Sequence, residues 1–239
     1  MKAYKAILFD LDNTLLDYDA SERESMQGAI RRFGLPDREG FLWEAFRAAF
    51  APINWTYWSE RMARNLHISQ VLEYSFRDTL AQLGHDGVPA AELAAAYWEL
   101  FCSSCRFMDG TPELLPRLHG AYALGIVSNG IGEAQRKRLA TGGILHYFPH
   151  VFVSDEVGAA KPDRLIFDRA VASLGVPRAD ILFVGDNLKD DYEGARAAGI
   201  DFCHYNPGRK PADAAIAPDY TIHALFELDA IISREEEQR

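Results

Sequence analysis

The sequence predicts an α/β fold in which a parallel sheet, covered by helices on both faces, is interrupted after its first strand by an inserted helical bundle. Three observations carry this. Ala6-Ile7-Leu8-Phe9 is a short apolar run that stops at Asp10, as a strand buried on both faces does. Residues 17–105 show only helical periodicity. From about Phe107 onward, short apolar runs alternate with helical stretches, the pattern of parallel strands joined by crossover helices.

Each element has its own signal. Ser21-Glu22-Arg23-Glu24 has the form of a capping box opening a helix with Met26, Ile30 and Phe33 on one face, ended by Gly34 and Pro36. Phe41, Leu42, Ala45, Phe46, Ala49 and Phe50 make a second stripe, which Pro52 is expected to stop. Ile68, Leu72, Phe76, Leu80 and Leu83 make a third, closed by Gly84, and Leu93, Tyr97, Leu100 and Phe101 a fourth. Further on, strands are expected at 123–127, 151–153, 181–184, 202–205 and 220–222, with helices near 133–140, 165–174 and 191–198. Residues 234–239 are expected to fray. The expected organisation is therefore a layered domain of 1–16 and 106–239 with a helical domain of 17–105 inserted.

Composition narrows the function. The chain carries 25 Lys+Arg against 35 Asp+Glu, a net charge of −10, which argues against a nucleic-acid polymer as partner. Apolar residues at 48% exclude a disordered chain. Cys102, Cys105 and Cys203 lack framework spacing, and Cys102-x-x-Cys105 reads as two small residues on a buried helix. The seven histidines show no ligand spacing, and Gly130-x-Gly132 lacks the rest of a dinucleotide fingerprint. No apolar run is long enough for a bilayer, and the first residues lack the h-region of a signal peptide. The expectation is a cytoplasmic protein without a membrane partner; the sequence favours neither a monomer nor a homodimer.

In such a sheet, ligands bind beyond the carboxyl ends of the strands. The first strand ends in Asp10-x-Asp12-x-Thr14, the 123–127 strand in Ser128-Asn129-Gly130, and the 181–184 strand in Gly185-Asp186-Asn187 with Asp190 and Asp191 beyond. Lys161-Pro162 follows the 151–153 strand. Several carboxylates in one crevice resist joint ionisation unless a cation offsets them. Few ligands, all of them oxygen, suit Mg²⁺ that keeps some waters. Ser128 with the backbone N–H groups of Asn129 and Gly130 would cradle an anion. Cation, lysine, N–H donors and a second carboxylate are what phosphoryl transfer needs. Any one cluster alone would read as a turn or helix cap; their ordered coincidence does not.

The sequence resembles the haloacid dehalogenase-like superfamily in its phosphohydrolase branch. Phe9 to Leu15 resembles the first family motif, Val127-Ser128-Asn129 the second, Lys161-Pro162 the third, and Val184-Gly185-Asp186 through Asp191-x-x-Gly194-Ala195-x-x-Ala198-Gly199 the fourth. The resemblance implies a Rossmann-like three-layer core, with the helical insert as a type I cap that closes over the site and selects the substrate. It implies Asp10 as the nucleophile that forms an aspartyl-phosphate and Asp12 as general acid, then base. Thr14, Ser128 and Asn129 would contact the phosphoryl group or brace their neighbours, and Lys161 would neutralise it. Mg²⁺ would be held by Asp10, the Asp12 backbone carbonyl and Asp186. Asp191 would act through the metal shell or on Lys161. Asn187 and Asp190 are supporting candidates, Asp190 more of a bystander.

Dehalogenases of the superfamily lack the second acid of the first motif and need no metal, so Asp12 and Asp186 favour phosphorus. A phosphomutase fits the same motifs. A receiver-like signalling domain fits poorly, since its acceptor Asp lies on a later strand. The implied activity is Mg²⁺-dependent hydrolysis of a small phosphorylated metabolite. The cap is rich in aromatics, Trp43, Phe46, Phe50, Trp55, Tyr57, Trp58, Tyr74, Tyr97 and Trp98. Most of these are expected to be bundle core, but Asn54-Trp55-Thr56-Tyr57-Trp58 lacks a clean stripe and could face a base. The extended first motif and helical insert look similar to bacterial pyrimidine 5′-nucleotidases, which points to a nucleoside 5′-monophosphate. Sugar phosphates, acylneuraminate phosphates and phosphoglycolate are the alternatives.

Overall fold

Six strands, among the described residues, form one parallel sheet: β1 Ala6–Phe9, β2 Ala123–Ser128, β3 His150–Val153, β4 Ile181–Gly185, β5 Asp201–Tyr205 and β6 Tyr220–Ile222. Their order is β3-β2-β1-β4-β5-β6. The computed structural model describes residues 2–211 and 216–232, so the fraying expected of 234–239 lies outside the described residues. The first strand is central because its four residues, all buried, pair on both sides, Phe9 opposite Ile126 and Val184. Chain order reverses between β1 and β4, the switch point at which open α/β sheets place their ligands.

Alternation along the strands divides the interior into two layers. Ile7, Phe9, Leu124, Ile126, Leu182 and Val184 enter one core with helices α5 Thr111–Leu118, α6 Gly132–Thr141 and α10 Leu228–Ile232. Ala6, Leu8, Val127, Ile181 and Phe183 enter the other, with α8 Arg164–Leu174 and α9 Glu193–Ala198. The short helix α7 Ser154–Val157 follows β3 directly. The predicted three-layer α/β core is therefore present.

Contacts divide the chain into two compact units, Met1–Asp19 with Cys105–Arg239, and Ala20–Ser104. Four helices make the second: α1 Tyr18–Arg32, which begins two residues before the unit boundary, α2 Trp43–Glu60, α3 Ile68–Gln82 and α4 Ala90–Cys102. Its interior centres on Phe76, whose ring lies 4.9 Å from Phe50, 5.7 Å from Tyr97 and 6.2 Å from Phe46. Of the insert aromatics, Phe46, Phe50 and Tyr97 are buried, whereas Trp55 is 66% exposed.

Four local expectations are corrected. Helix α1 begins at Tyr18, with Ser21 buried inside it rather than capping it. The start is moved upstream because Asn13 Oδ1 accepts from the Tyr18 and Asp19 backbone N–H groups at 3.0 and 3.4 Å. Helix α2 runs through Pro52, whose ring is exposed, instead of stopping there. The 191–198 helix is preceded by a π-helical turn, Leu188–Tyr192, that takes in Asp191. Cys102 ends α4, but Cys105 lies beyond it and half-buried; neither is in a disulfide. No helix among the described residues is long and apolar enough to cross a membrane.

Candidate active site

Asp10 follows β1, with its backbone N–H donating to Val184 O at 2.8 Å, so the β1–β4 ladder extends one residue into the site. Its carboxylate is buried. Lys161 Nζ donates to Asp10 Oδ1 at 2.5 Å, and Thr14 Oγ1 donates to Oδ2 at 3.2 Å. Lys161 is equally buried, lies 2.7 Å from Asp191 Oδ1, and places its ammonium 5.6 Å from the centre of the Phe183 ring. The 151–153 strand and its loop thus deliver one cation between two acids.

Asp191 is held from the π-helical turn. Its Oδ2 accepts from the Asn187 backbone N–H at 3.0 Å, while Asn187 Oδ1 accepts from the N–H groups of Lys189 and Asp190. Gly185 is required by this packing, since a Cβ there would lie 2.2 Å from Asp191 Oδ2. Asn187 is exposed and serves as a cap; Asp190 is half-buried.

Asp10, Asp186 and Asp191 each offer a carboxylate oxygen within 4.8 Å of the others. Burial, then repulsion by Asp191 and Asp186, pushes the Asp10 carboxyl well above the usual range, although Lys161 pulls the other way. Burial and Asp191 push Asp186 up to about 7. Burial alone would lower the Lys161 ammonium, but Asp10 and Asp191 outweigh it and hold the group charged. Three acids facing one ammonium leave excess negative charge, and buried Asp191 Oδ1 lacks an aligned hydrogen-bond donor despite its nearness to Lys161. An all-oxygen donor set with uncompensated charge fits a hard divalent cation. A crevice of about 620 Å³ opens beside Asp186, with Asn13, Asp17, Lys189, His204 and Lys210 also on its walls; that is room for a small ligand.

Asp12 is treated differently. Its Oδ1 accepts from Arg138 Nη1 at 2.6 Å and its Oδ2 from Gln135 Nε2 at 2.7 Å. Gln135 Nε2 also donates to Ser128 Oγ at 2.9 Å. Because Ser128 accepts there, its own hydroxyl proton is free to be donated elsewhere. Sequence reasoning missed Gln135 and Arg138. The signal available was two long polar residues on the inward face of α6, beside Ala134 and Leu139, where an ordinary surface helix would be apolar.

The second motif also differs from expectation. The Gly130 N–H is spent on Ser154 Oγ at 3.0 Å, and the Gly132 N–H on Asp155 Oδ1 at 2.9 Å, so the anion cradle proposed there loses the Gly130 donor. The Asn129 side chain bonds the Lys161 backbone twice, from Nδ2 to O at 3.0 Å and from the Lys161 N–H to Oδ1 at 2.7 Å.

Comparison with known proteins places the chain in a family. The family model of the haloacid dehalogenase-like hydrolases matches residues 4–199. HAD-hydrolase YfnB of Bacillus subtilis (strain 168) is 30% identical over 98% of both chains. A crystal structure of YfnB, bound to magnesium, superposes with a TM-score of 0.81 at 29% identity, covering 98% of this chain and 100% of that one. Pyrimidine 5′-nucleotidase YjjG of Escherichia coli (strain K12) is 30% identical over 95% of this chain and 97% of its own. Pyrimidine 5′-nucleotidase PynA of Streptococcus pneumoniae is 29% identical over 94% and 93%. This chain belongs to the haloacid dehalogenase-like hydrolase family.

Proposed function

We propose that this phosphoric monoester hydrolase works through an aspartyl-phosphate on Asp10, depends on Mg²⁺, and acts on nucleoside 5′-monophosphates. The observation that carries the mechanism is the separate treatment of two carboxylates two residues apart. Asp10 is buried against Lys161 and Thr14, whereas Asp12 is held by α6 with its side chain 23% exposed. Two acids in different surroundings suit two roles.

In the first step an Asp10 oxygen attacks phosphorus. The P–O ester bond breaks, its electron pair goes to the leaving oxygen, and that oxygen takes the proton carried by the Asp12 carboxyl group. In the second, water attacks the aspartyl-phosphate and gives its proton to the Asp12 carboxylate. The bond to Asp10 breaks, and phosphate leaves with both enzyme carboxyl groups restored. Lys161 offsets charge on Asp10 and on the transferred group. Ser128 and Thr14 donate to phosphoryl oxygens or hold their neighbours in place. Asp10, the Asp12 backbone carbonyl and Asp186 would hold Mg²⁺, with Asp191 behind them on Lys161. When bound, the ion supplies Lewis-acid charge to the phosphoryl oxygens.

The substrate class is supported by the similarity to the two pyrimidine 5′-nucleotidases over nearly the whole chain. On the same reading residues 17–105 are the cap, and this helical unit selects the ester. A panel of nucleotides, sugar phosphates, phosphoglycolate and phosphoserine, assayed with Mg²⁺, tests it. Pyrimidine nucleotides are expected to give the highest kcat/KM. Much faster turnover of sugar phosphates than of every nucleotide would overturn the substrate class. Full activity in Asp10→Asn, or after exhaustive chelation, would overturn the mechanism.

A further inference from the structure

We propose that Arg138 and Gln135 form a positioning clamp for Asp12, holding its carboxyl group where it meets the leaving oxygen. The proposal rests on the role of Asp12 set out above. Three observations carry it. Arg138 is fully buried and Gln135 is 2% exposed, although both are residues that normally remain at the surface. They lie three residues apart on α6, so they share a face, and Arg138 Nη1 also donates to Gln135 Oε1 at 2.9 Å. Each binds a different oxygen of Asp12, at 2.6 and 2.7 Å. Two bonds to two oxygens fix the carboxylate plane as well as its position. Burial of a guanidinium is costly unless its partners are well placed, and here a partner is the residue on which proton transfer depends.

The clamp has a kinetic signature that a merely structural arginine lacks. Asp12 donates a proton only when the leaving group needs one. An alkoxide needs it; p-nitrophenolate, already stable as an anion in neutral water, does not. The second-order constant kcat/KM reports steps up to release of the leaving group and excludes hydrolysis of the intermediate. A displaced Asp12 is therefore felt in kcat/KM for alkyl esters and spared for the aryl ester.

The experiment measures kcat/KM of Arg138→Met and Arg138→Lys on p-nitrophenyl phosphate and on uridine 5′-monophosphate, or ribose 5-phosphate if nucleotides are not turned over. Asp12→Ala serves as reference. The expected loss for Arg138→Met is ~30-fold or more on the alkyl ester and ~3-fold or less on the aryl ester, since a displaced general acid forfeits part of the roughly 10²–10⁴-fold it contributes. Arg138→Lys, which keeps a donor, is expected to recover about tenfold on the alkyl ester. Arg138→Gln replaces Arg138→Met in the same comparison if the latter does not fold. Equal losses on both esters, or no loss on either, would overturn the clamp while Asp12→Ala still discriminates. If Asp12→Ala itself fails to discriminate, or wild type hydrolyses neither ester, the role of Asp12 falls and the clamp with it.

Discussion

Asn129 shows how a residue singled out for its backbone can be committed through its side chain. Its place after β2 marked it as a phosphate contact through the backbone, yet its side chain is committed to Lys161 by two hydrogen bonds across 32 residues. Lys161 can then meet Asp10 and Asp191 without searching for them. Asn129→Ala removes both bonds, each worth about 1 kcal/mol. The variant is expected to lose about 2 kcal/mol of stability and, if Lys161 acts as proposed, roughly tenfold or more in kcat, because small displacements of a catalytic group are costly. Urea denaturation and steady-state assays check the two parts. Unchanged kcat with lowered stability would reduce Asn129 to a structural tie. Such pairings were illegible in the sequence, which shows that residues end strands but not which loops meet. The acids at strand ends were legible because the topology alone puts them on one rim.

At the scale of elements, legibility followed the source of each boundary. The strands β1 and β4 were plain because continuous apolar runs have few other fates than a doubly covered sheet. Helix ends set from a distance were not: α1 is started by Asn13, five residues before Tyr18. The π-helical turn at Leu188–Tyr192 left no mark on the hydrophobic pattern. Pro52 is the most instructive case. The rule that proline stops a helix weighs one lost hydrogen bond and one ring clash, but α2 continues to Glu60 because both halves of the helix are packed, Phe46 and Phe50 before it and Tyr57 and Trp58 after it. The cost is still present. Pro52→Ala, at an exposed position, is expected to raise the stability of the helical unit by about 1–2 kcal/mol, the helix-propensity gain less the added freedom of the unfolded chain. Chemical denaturation followed by helical circular dichroism checks it. A variant no more stable than wild type would mean that α2 has adapted its geometry fully to the proline.

At the scale of the whole molecule, the acidic balance seen first in the composition has a local centre. The charge of −10 includes three carboxylates, Asp10, Asp186 and Asp191, gathered at the sheet's switch point against one ammonium. Asp186 has a folded-state pKa of about 7, raised from the usual 3.8 by burial and by Asp191. Between those values the folded protein holds more protons than the unfolded chain. The stability of the metal-free protein therefore falls as pH rises from about 4 through 7. On the proposed function Mg²⁺ would bind the deprotonated cluster, so its stabilising effect is expected to run the opposite way and to grow over the same window. The midpoint of thermal unfolding is expected to rise on adding Mg²⁺ by several degrees at pH 8 and by little at pH 5. Asp186→Asn removes a half-buried repulsive charge and the proposed metal ligand together. It is expected to be more stable than wild type at pH 8 without metal, indifferent to Mg²⁺, and nearly inactive. Differential scanning fluorimetry at the two pH values, with and without Mg²⁺, separates these outcomes. A Mg²⁺ response equal at both pH values, or retained in Asp186→Asn, would show that the ion binds elsewhere and that the charge gathered at the switch point is balanced by the protein alone.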